Sequence, residues 1–387
     1  MDHVPGKIEG HIPGTRVMTA TKSIGTAADA FSGPASQLDP LSTMVDGGLI
    51  MSGDCGGTNS RLTLFKVPAG TVFSKKYPNA EFHSKGQGFV DICKLFLEQA
   101  GAGKPLVCCL ACAGGILNNT VDFTNVSTGW KIDGGELAKE LGIKRVTLIN
   151  DFEAQGYGLL TLHDDELVKL NGGVKRPGAP IACVGAGTGL GECFLTCDKV
   201  SGKYTCFPSE GGHAEFSPRD QLGVDFLEYL KKVTGGRRVS VERVVSGPGI
   251  VNIYQFLRQH WAFIELKNKK IDDEITSTPE YDQARIIVKG AKEGDLVCKK
   301  AIDIFCVNYG SELGVAALKW LPYGGLYISG GIAAKNPDWV KSDAFQSTYK
   351  DKGRLSPLVE SIPLYLVTVE DTGERGALFV AVRLLLA

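Results

Sequence analysis

Three acids and a histidine in this sequence stand where side chains can do chemistry. Asp151 closes the run Leu148-Ile149-Asn150-Asp151, an apolar segment ending on two polar residues. An acid at the carboxyl end of a strand in an α/β protein faces the ligand crevice. Aspartate also fills a helix N-cap well, and EAQGYGLL follows shortly after; at this level both readings stand. Glu210-Gly211-Gly212-His213 sets two hydrogen-bonding side chains on a glycine-built turn. The carboxylate accepts from adjacent hydroxyls, and neutral imidazole donates or accepts. A metal reading of the pair lacks further ligands at suitable spacing. Glu242, in RRVSVERVVSGPG, is a third acid beside a glycine-proline turn, where a solvated helix charge is the plain alternative.

Two glycine loops flank these residues. Asp54-Cys55-Gly56-Gly57-Thr58-Asn59 is one; Gly185-Ala186-Gly187-Thr188-Gly189-Leu190-Gly191 is the other. Neither is a Walker A loop: the one tempting Gly103-Lys104 pair is followed by Pro105, and position 98 is Glu. The strictly alternating glycines fail G-x-G-x-x-G in every register, and a strand follows instead of a helix, which argues against a Rossmann cofactor. Alternating glycines between strands strip side chains from one face of a hairpin, so backbone N–H groups can approach an anion. Asp54 can hold Mg²⁺ through water, since that ion keeps several waters and few protein ligands. Two ordinary tight hairpins are the other reading.

The elements that must position these groups follow from periodicity. GLIMSGDCGGTNSRLTLFKV reads strand, glycine turn, strand, and IACVGAGTGLGECFLTC repeats that unit about 130 residues later. Residues 89–101 carry helical spacing ended by glycine; PLVCCLACAG is a buried strand, GGELAKELGI a short helix and RVTLIN another buried strand. Helical patterns then fill DQLGVDFLEYLKKV, SGPGIVNIYQFLRQH and a long run from Tyr281 to Leu321. GGLYISGGIA is one more buried strand, and ERGALFVAVRLLLA closes the chain as a helix. Two β–Gly–β units, each opening an α/β segment, predict two related domains facing each other.

Composition sets the limits. The 387 residues suffice for two domains, and 42 Lys plus Arg against 43 Asp plus Glu argue against a polyanion-wrapping protein and predict no nucleic-acid partner. No apolar stretch reaches the roughly 18 residues of a membrane span, so a soluble chain is expected. Eleven cysteines are too sparse for a disulfide-built fold, and several sit in apolar strands, as buried thiols of a reducing compartment do. No CxxC pair exists, and Cys193 and Cys197 have no histidine nearby, which disfavours a structural zinc. Residues 1–45 are rich in Gly, Pro, Ser and Thr without periodicity and read as an extended or mobile arm. They lack the apolar core of a secretory signal and hold a single arginine, Arg16, so a cytoplasmic location is the default.

The ordered set SGDCGGTNSR, LINDFEAQGYG, GAGTGLG, SEGGHAEFSP, SVERVVSGPG and ISGGIA resembles the bacterial-type glucokinases of the hexokinase/actin-like ATPase superfamily. The resemblance runs from Gly47 to the C-terminus, and its strength lies in six motifs in one order. It implies an α/β, two-domain actin-like (ribonuclease H-like) fold with a cleft between a small domain (46–155 plus 372–387) and a large one (156–371). It implies ATP-dependent, magnesium-assisted phosphorylation of D-glucose at the 6-hydroxyl, the first step of glycolysis, and it allows a homodimer. Carried over residue by residue, Asp54, Gly56, Gly57, Thr58, Asn59 and Arg61 match the first phosphate loop, with Asp54 on the metal. Gly187, Thr188 and Gly189 match the second loop, and Gly330 and Gly331 the turn near the adenosine. Asp151 matches the catalytic base; Asn150, Glu210, His213 and Glu242 match sugar ligands. Thr124-Asn125, with Trp130 behind, resembles a segment that closes on the sugar. The related ROK branch (repressors, open reading frames and kinases) places a cysteine-rich zinc motif after its histidine. Here no cysteine follows His213 until Cys298, which disfavours that branch. Runner-up readings are a kinase for another hexose or amino sugar, and a non-catalytic actin-like nucleotide-binding protein.

Overall fold

The structure, a computed structural model, describes residues 48–123 and 130–387. The arm 1–45 and the pair Thr124-Asn125 lie outside the described residues.

Two sheets carry the fold, and they share one plan. In the first, β1 (Gly48–Cys55), β2 (Asn59–Val67) and β3 (Gly70–Pro78) form an antiparallel meander; β4 (Val107–Cys112) and β7 (Arg145–Asn150) extend it in parallel, giving the order β3-β2-β1-β4-β7. A small hairpin, β5 (Thr120–Phe123) with β6 (Trp130–Asp133), lies between β4 and β7 in sequence. In the second sheet β9 (Ile181–Ala186), β10 (Leu190–Cys197) and β11 (Tyr204–Ser209) make the meander. β12 (Gly325–Ser329) and β13 (Leu364–Val367) extend it in parallel, and β8 (Leu167–Lys169) adds an antiparallel edge. The same strand order, an antiparallel meander extended by two parallel strands, thus recurs in both sheets.

The central strands are apolar on both faces because helices cover both. All six residues of β4 are buried, Cys108, Cys109 and Cys112 among them. Around the first sheet pack α1 (Asn79–His83), α2 (Phe89–Ala100) and α3 (Gly134–Leu141). Helix α4 (Asp151–Leu159) leaves the end of β7. The second sheet carries α5 (Gln221–Thr234), α6 (Gly247–Leu257), α7 (Lys269–Ser277), α8 (Glu280–Lys292), α9 (Leu296–Trp320), α10 (Gly331–Lys335), α11 (Pro337–Lys341), α12 (Asp343–Lys350) and α13 (Ser356–Ser361). The chain ends in α14 (Thr372–Leu386).

The helical run expected from Tyr281 to Leu321 is two helices. Gly294 at φ 99° breaks it, and Asp295 caps α9 by accepting from the Cys298 amide at 2.7 Å. Among the described residues α9 alone is long and apolar enough to cross a membrane, yet Ala301, Phe305, Tyr309 and Leu313 on it are buried in the second lobe's core.

Helices α4 and α14 cross between the sheets. One core joins Ile50 and Cys109 of the first sheet, Tyr157 of α4, Phe379 and Val382 of α14, and Cys183 and Cys193 of the second. The crossing is close: a Cβ on Gly376 would lie 1.7 Å from the Ala154 carbonyl oxygen. The domain division drawn at 155/156 falls inside α4.

Candidate active site

The cap of α4 decides which of two polar residues stays free. Asn150 has extended backbone, and its Oδ1 accepts from the amides of Phe152 at 2.8 Å and Glu153 at 3.2 Å. Asn150 is therefore the N-cap, and Asp151 is the first helical residue. The Asn150 Nδ2 donates to the Gly114 carbonyl at 3.0 Å, which leaves one amide hydrogen for a ligand. Asp151 Oδ1 accepts from the Phe152 amide at 2.9 Å. Burial pushes this carboxyl up to about 6; the Phe152 amide opposes the shift, and the carboxylates of Asp54 and Glu210 add to it. One acid from each lobe thus bears on Asp151.

Asp54, the last residue but one of β1, lies directly opposite Arg61 on β2, and Arg61 is opposite Lys76 on β3. The residue is exposed, but the surrounding protein raises its pKa against the pull of Arg61 and Lys76. Arg61 pairs through Nε with Glu374 at 3.1 Å, at the start of α14. Burial pushes Glu374 up to about 7 even though Arg61 opposes it, with Asp54 and Asp371 adding to the rise. Below this charged row the loop is pinned by buried Asn79, whose Nδ2 donates to the carbonyls of Gly56 (2.8 Å) and Gly57 (3.1 Å). Ser60 Oγ donates to Asn79 Oδ1 at 2.8 Å. In trans peptides N–H and C=O point oppositely, so pinning these two carbonyls aims the amides of Gly57 and Thr58 away from Asn79.

The second loop is built by exclusion. A Cβ on Gly191 would lie 2.0 Å from the Phe152 ring and one on Gly185 2.7 Å from it, so two of the alternating glycines make room for the residue after Asp151. A Cβ on Gly189 would meet Glu242 Oε2 at 2.6 Å, whereas Gly187 faces open space. Of the four, Gly187 alone fits the sequence reading of glycine as clearance for an anion. The Gly187 carbonyl accepts from the Gly247 amide at 2.8 Å, tying the loop to the start of α6. Gly330, at φ 87°, brings the β12 turn against the Ala186 carbonyl; Gly331 follows as the first residue of α10. Both turns lie at the carboxyl ends of parallel strands β9 and β12, where open α/β sheets bind ligands.

Glu210, His213 and Glu242 come together. His213 Nε2 lies 3.8 Å from Glu210 Oε2, and Nδ1 lies 4.0 Å from Glu242 Oε1. Glu242 is no solvated helix charge: it sits on the turn Val241–Arg243 and its Oε2 accepts from the Leu190 amide at 2.9 Å. One carboxylate therefore links the second glycine loop to the histidine. An open cavity of about 440 Å³ adjoins the group, between Thr147, Asn150 and Glu153 on one side and Ser209 and Glu210 on the other. Burial pushes Glu153 up to about 7 there.

Sequence reasoning missed Asn79, Glu374, Lys76 and Glu153. Asn79 has no motif around it; Lys76 and Glu374 reach the loop only through strand register and the return of the last helix. Glu153 stood inside a quoted motif, and only its burial marks it.

The model of the family described as Glucokinase matches residues 51–384. A curated glucokinase of Nostoc sp. (strain PCC 7120) is 39% identical over 350 residues, covering 87% of this chain and 99% of its own. The crystal structure of a glucokinase from an Antarctic psychrotroph superposes with a TM-score of 0.71 at 27% identity, covering 87% of this chain and 99% of its own. At the level of fold alone, the ROK-family glucokinase of Streptomyces griseus, solved with glucose and AMPPNP, superposes with a TM-score of 0.57 at 17% identity, covering 87% of this chain and all of its own.

Proposed function

The chain belongs to the glucokinase family and is an ATP-dependent glucose 6-phosphotransferase of the actin-like fold, and from that premise we propose which residues run the reaction. Asp151 is the base. It accepts the proton of the sugar 6-hydroxyl as the γ-phosphoryl group arrives, a role worth about 10²–10⁴-fold in rate. The observation that carries this assignment is its setting: first helical residue, relieved of capping by Asn150, with its carboxyl at about 6 so that it is ionised yet basic at neutral pH.

Phosphoryl transfer needs little covalent help, and the remaining residues position and neutralise. The amides of Gly57 and Thr58, with Asn59 and Arg61, and the Gly187–Gly189 loop close on the phosphates from opposite lobes. Gly330 and Gly331 border the adenosine. Asn150, Glu210, His213 and Glu242 hold sugar hydroxyls, joined by Asn125. Asp54, an acid held at the cleft with its pKa raised by burial, suits a water-mediated Mg²⁺, which supplies charge neutralisation when bound. The lobes, divided within α4, hinge on the α4–α14 crossing and exclude water on closing. The enzyme works in the cytosol; a homodimer, which the family resemblance allows, is read out by sedimentation equilibrium.

Asp151→Asn tests the reading. Its kcat should fall at least about 100-fold while the glucose Kd, measured by calorimetry, moves less than about threefold. A variant keeping more than about a tenth of wild-type kcat contradicts the assignment. In the wild type kcat/KM should rise as pH climbs through about 6, because only the ionised carboxylate accepts a proton. The sign for stability is opposite. An acid with a raised folded-state pKa favours folding below its ordinary pKa, and that contribution is lost as pH rises through about 6. Asp151→Asn should therefore melt higher than wild type at neutral pH.

A further inference from the structure

We propose that Glu192 is a positioning residue for the sugar turn: its carboxyl is the floor on which Gly211 rests, and the grip of Glu210 and His213 depends on that carboxyl. The inference rests on the reading of Glu210 and His213 as sugar ligands.

The strand β10 supports the whole turn from beneath. At Leu190 the amide donates to Glu242 at 2.9 Å, and the carbonyl oxygen lies 2.0 Å from where a Cβ on Gly212 would be. Two residues on, Glu192 Oε2 lies 1.8 Å from where a Cβ on Gly211 would be. Ser209, directly opposite Glu192 in the β10–β11 register, accepts from the Gly211 amide through Oγ at 3.1 Å. Gly211 is thus held from two sides, and one of them is an acid only 1% exposed.

That acid is an unusual floor. Its Oε1 is buried and, among the described residues, finds no hydrogen-bond partner. Stranding a carboxyl in this way carries a desolvation penalty that an apolar residue would avoid. The carboxyl of Glu312, on α9, acts on it electrostatically, with Tyr309 and Lys319 on the same helix. Lys352, after α12, completes the surround of Glu312, and the Arg219–Asp351 pair lies beyond it. Burial, then Glu312, pushes Glu192 up to about 8, against the pull of Lys319.

Ionising the buried Glu192 carboxyl beside that of Glu312 sets like charges against each other beneath the turn. Strand β10 and helix α9 are core elements; the Glu210–His213 turn is exposed and is the part that can yield. The readout is therefore specific to glucose: a merely structural residue would move kcat, the ATP constant and the glucose constant together.

Steady-state kinetics at about pH 7 and about pH 9.5 bracket the titration. In the wild type, KM for glucose should rise at least about threefold between them while KM for ATP stays within about 1.5-fold. Glu192→Gln keeps a donor toward Glu312 at every pH and should flatten the glucose profile; Glu312→Gln should do the same from the other side. Lys352, pushed down to about 8 by burial, titrates in the same range but remains in both variants, so it does not account for a difference. Glu210→Gln, assayed at the lower pH, checks the underlying reading separately. An unchanged KM for glucose in that variant overturns the sugar-turn assignment. A raised KM there, together with Gln variants that keep the wild-type profile or a wild-type profile that is flat, overturns the role of Glu192 alone.

Discussion

The two strand–glycine–strand hairpins read alike in sequence and differ in physics. The first, between β1 and β2, is electrostatic. Asp54, Arg61 and Lys76 form a cross-strand row, Glu374 is drawn onto it from the last helix, and Asn79 pins the loop carbonyls. The second, between β9 and β10, carries no charge on Gly185–Gly191, and its glycines act by absence. Gly185 and Gly191 clear space for Phe152, Gly189 clears space for Glu242, and Gly187 alone faces the open cleft. A glycine-rich loop is thus two devices, one that aims backbone donors and one that lets neighbouring side chains reach their stations.

The comparison can be broken most directly at Gly191. Gly191→Ala drives a methyl into the Phe152 ring, so it should destabilise by about 1–3 kcal/mol by thermal melting and, because Phe152 follows the base, lower kcat as well. Gly187→Ala has room; it should melt within about 0.5 kcal/mol of wild type and raise only the KM for ATP. Equal melting losses in the two variants would erase the distinction between clearing and cradling glycines.

On the first hairpin the expected effects are smaller. Asn79→Ala strands the carbonyls of Gly56 and Gly57 and the Ser60 hydroxyl, at about 1–3 kcal/mol if they stay dry, and it should weaken ATP binding more than glucose binding by calorimetry. Glu374→Gln should be the mildest change. Arg61 and Glu374 are both partly exposed, and such pairs contribute roughly 0–1 kcal/mol. Burial of Glu374 outweighs the pair and raises its pKa to about 7, so its contribution to stability falls as pH rises through that value. The variant should therefore gain on wild type between mildly acidic and mildly alkaline melts; a difference that shrinks with pH would reverse the assignment.

Much of the architecture was legible beforehand. Both β–Gly–β units, the buried strands at Val107–Cys112 and Arg145–Asn150, and the closing helix are short-range hydrophobic patterns, and they fold as they read. Strands β3, β8, β11 and β13 were not read: they are short or mixed in polarity, and pairing partners rather than their own residues make them strands.

Within the site the division is the same. Sequence by itself determined the residue types available for chemistry, the order in which they come and the segments that carry them, because periodicity and turn chemistry act over a few residues. Tertiary structure decided their employment. It made Asn150 the cap and freed Asp151, gave Glu242 the Leu190 amide 52 positions away, joined Arg61 to Glu374 and set Glu192 beneath Gly211. Those assignments depend on which backbones approach within hydrogen-bonding distance and which carboxyls lose their water. No local pattern encodes either, because both are properties of the packed chain.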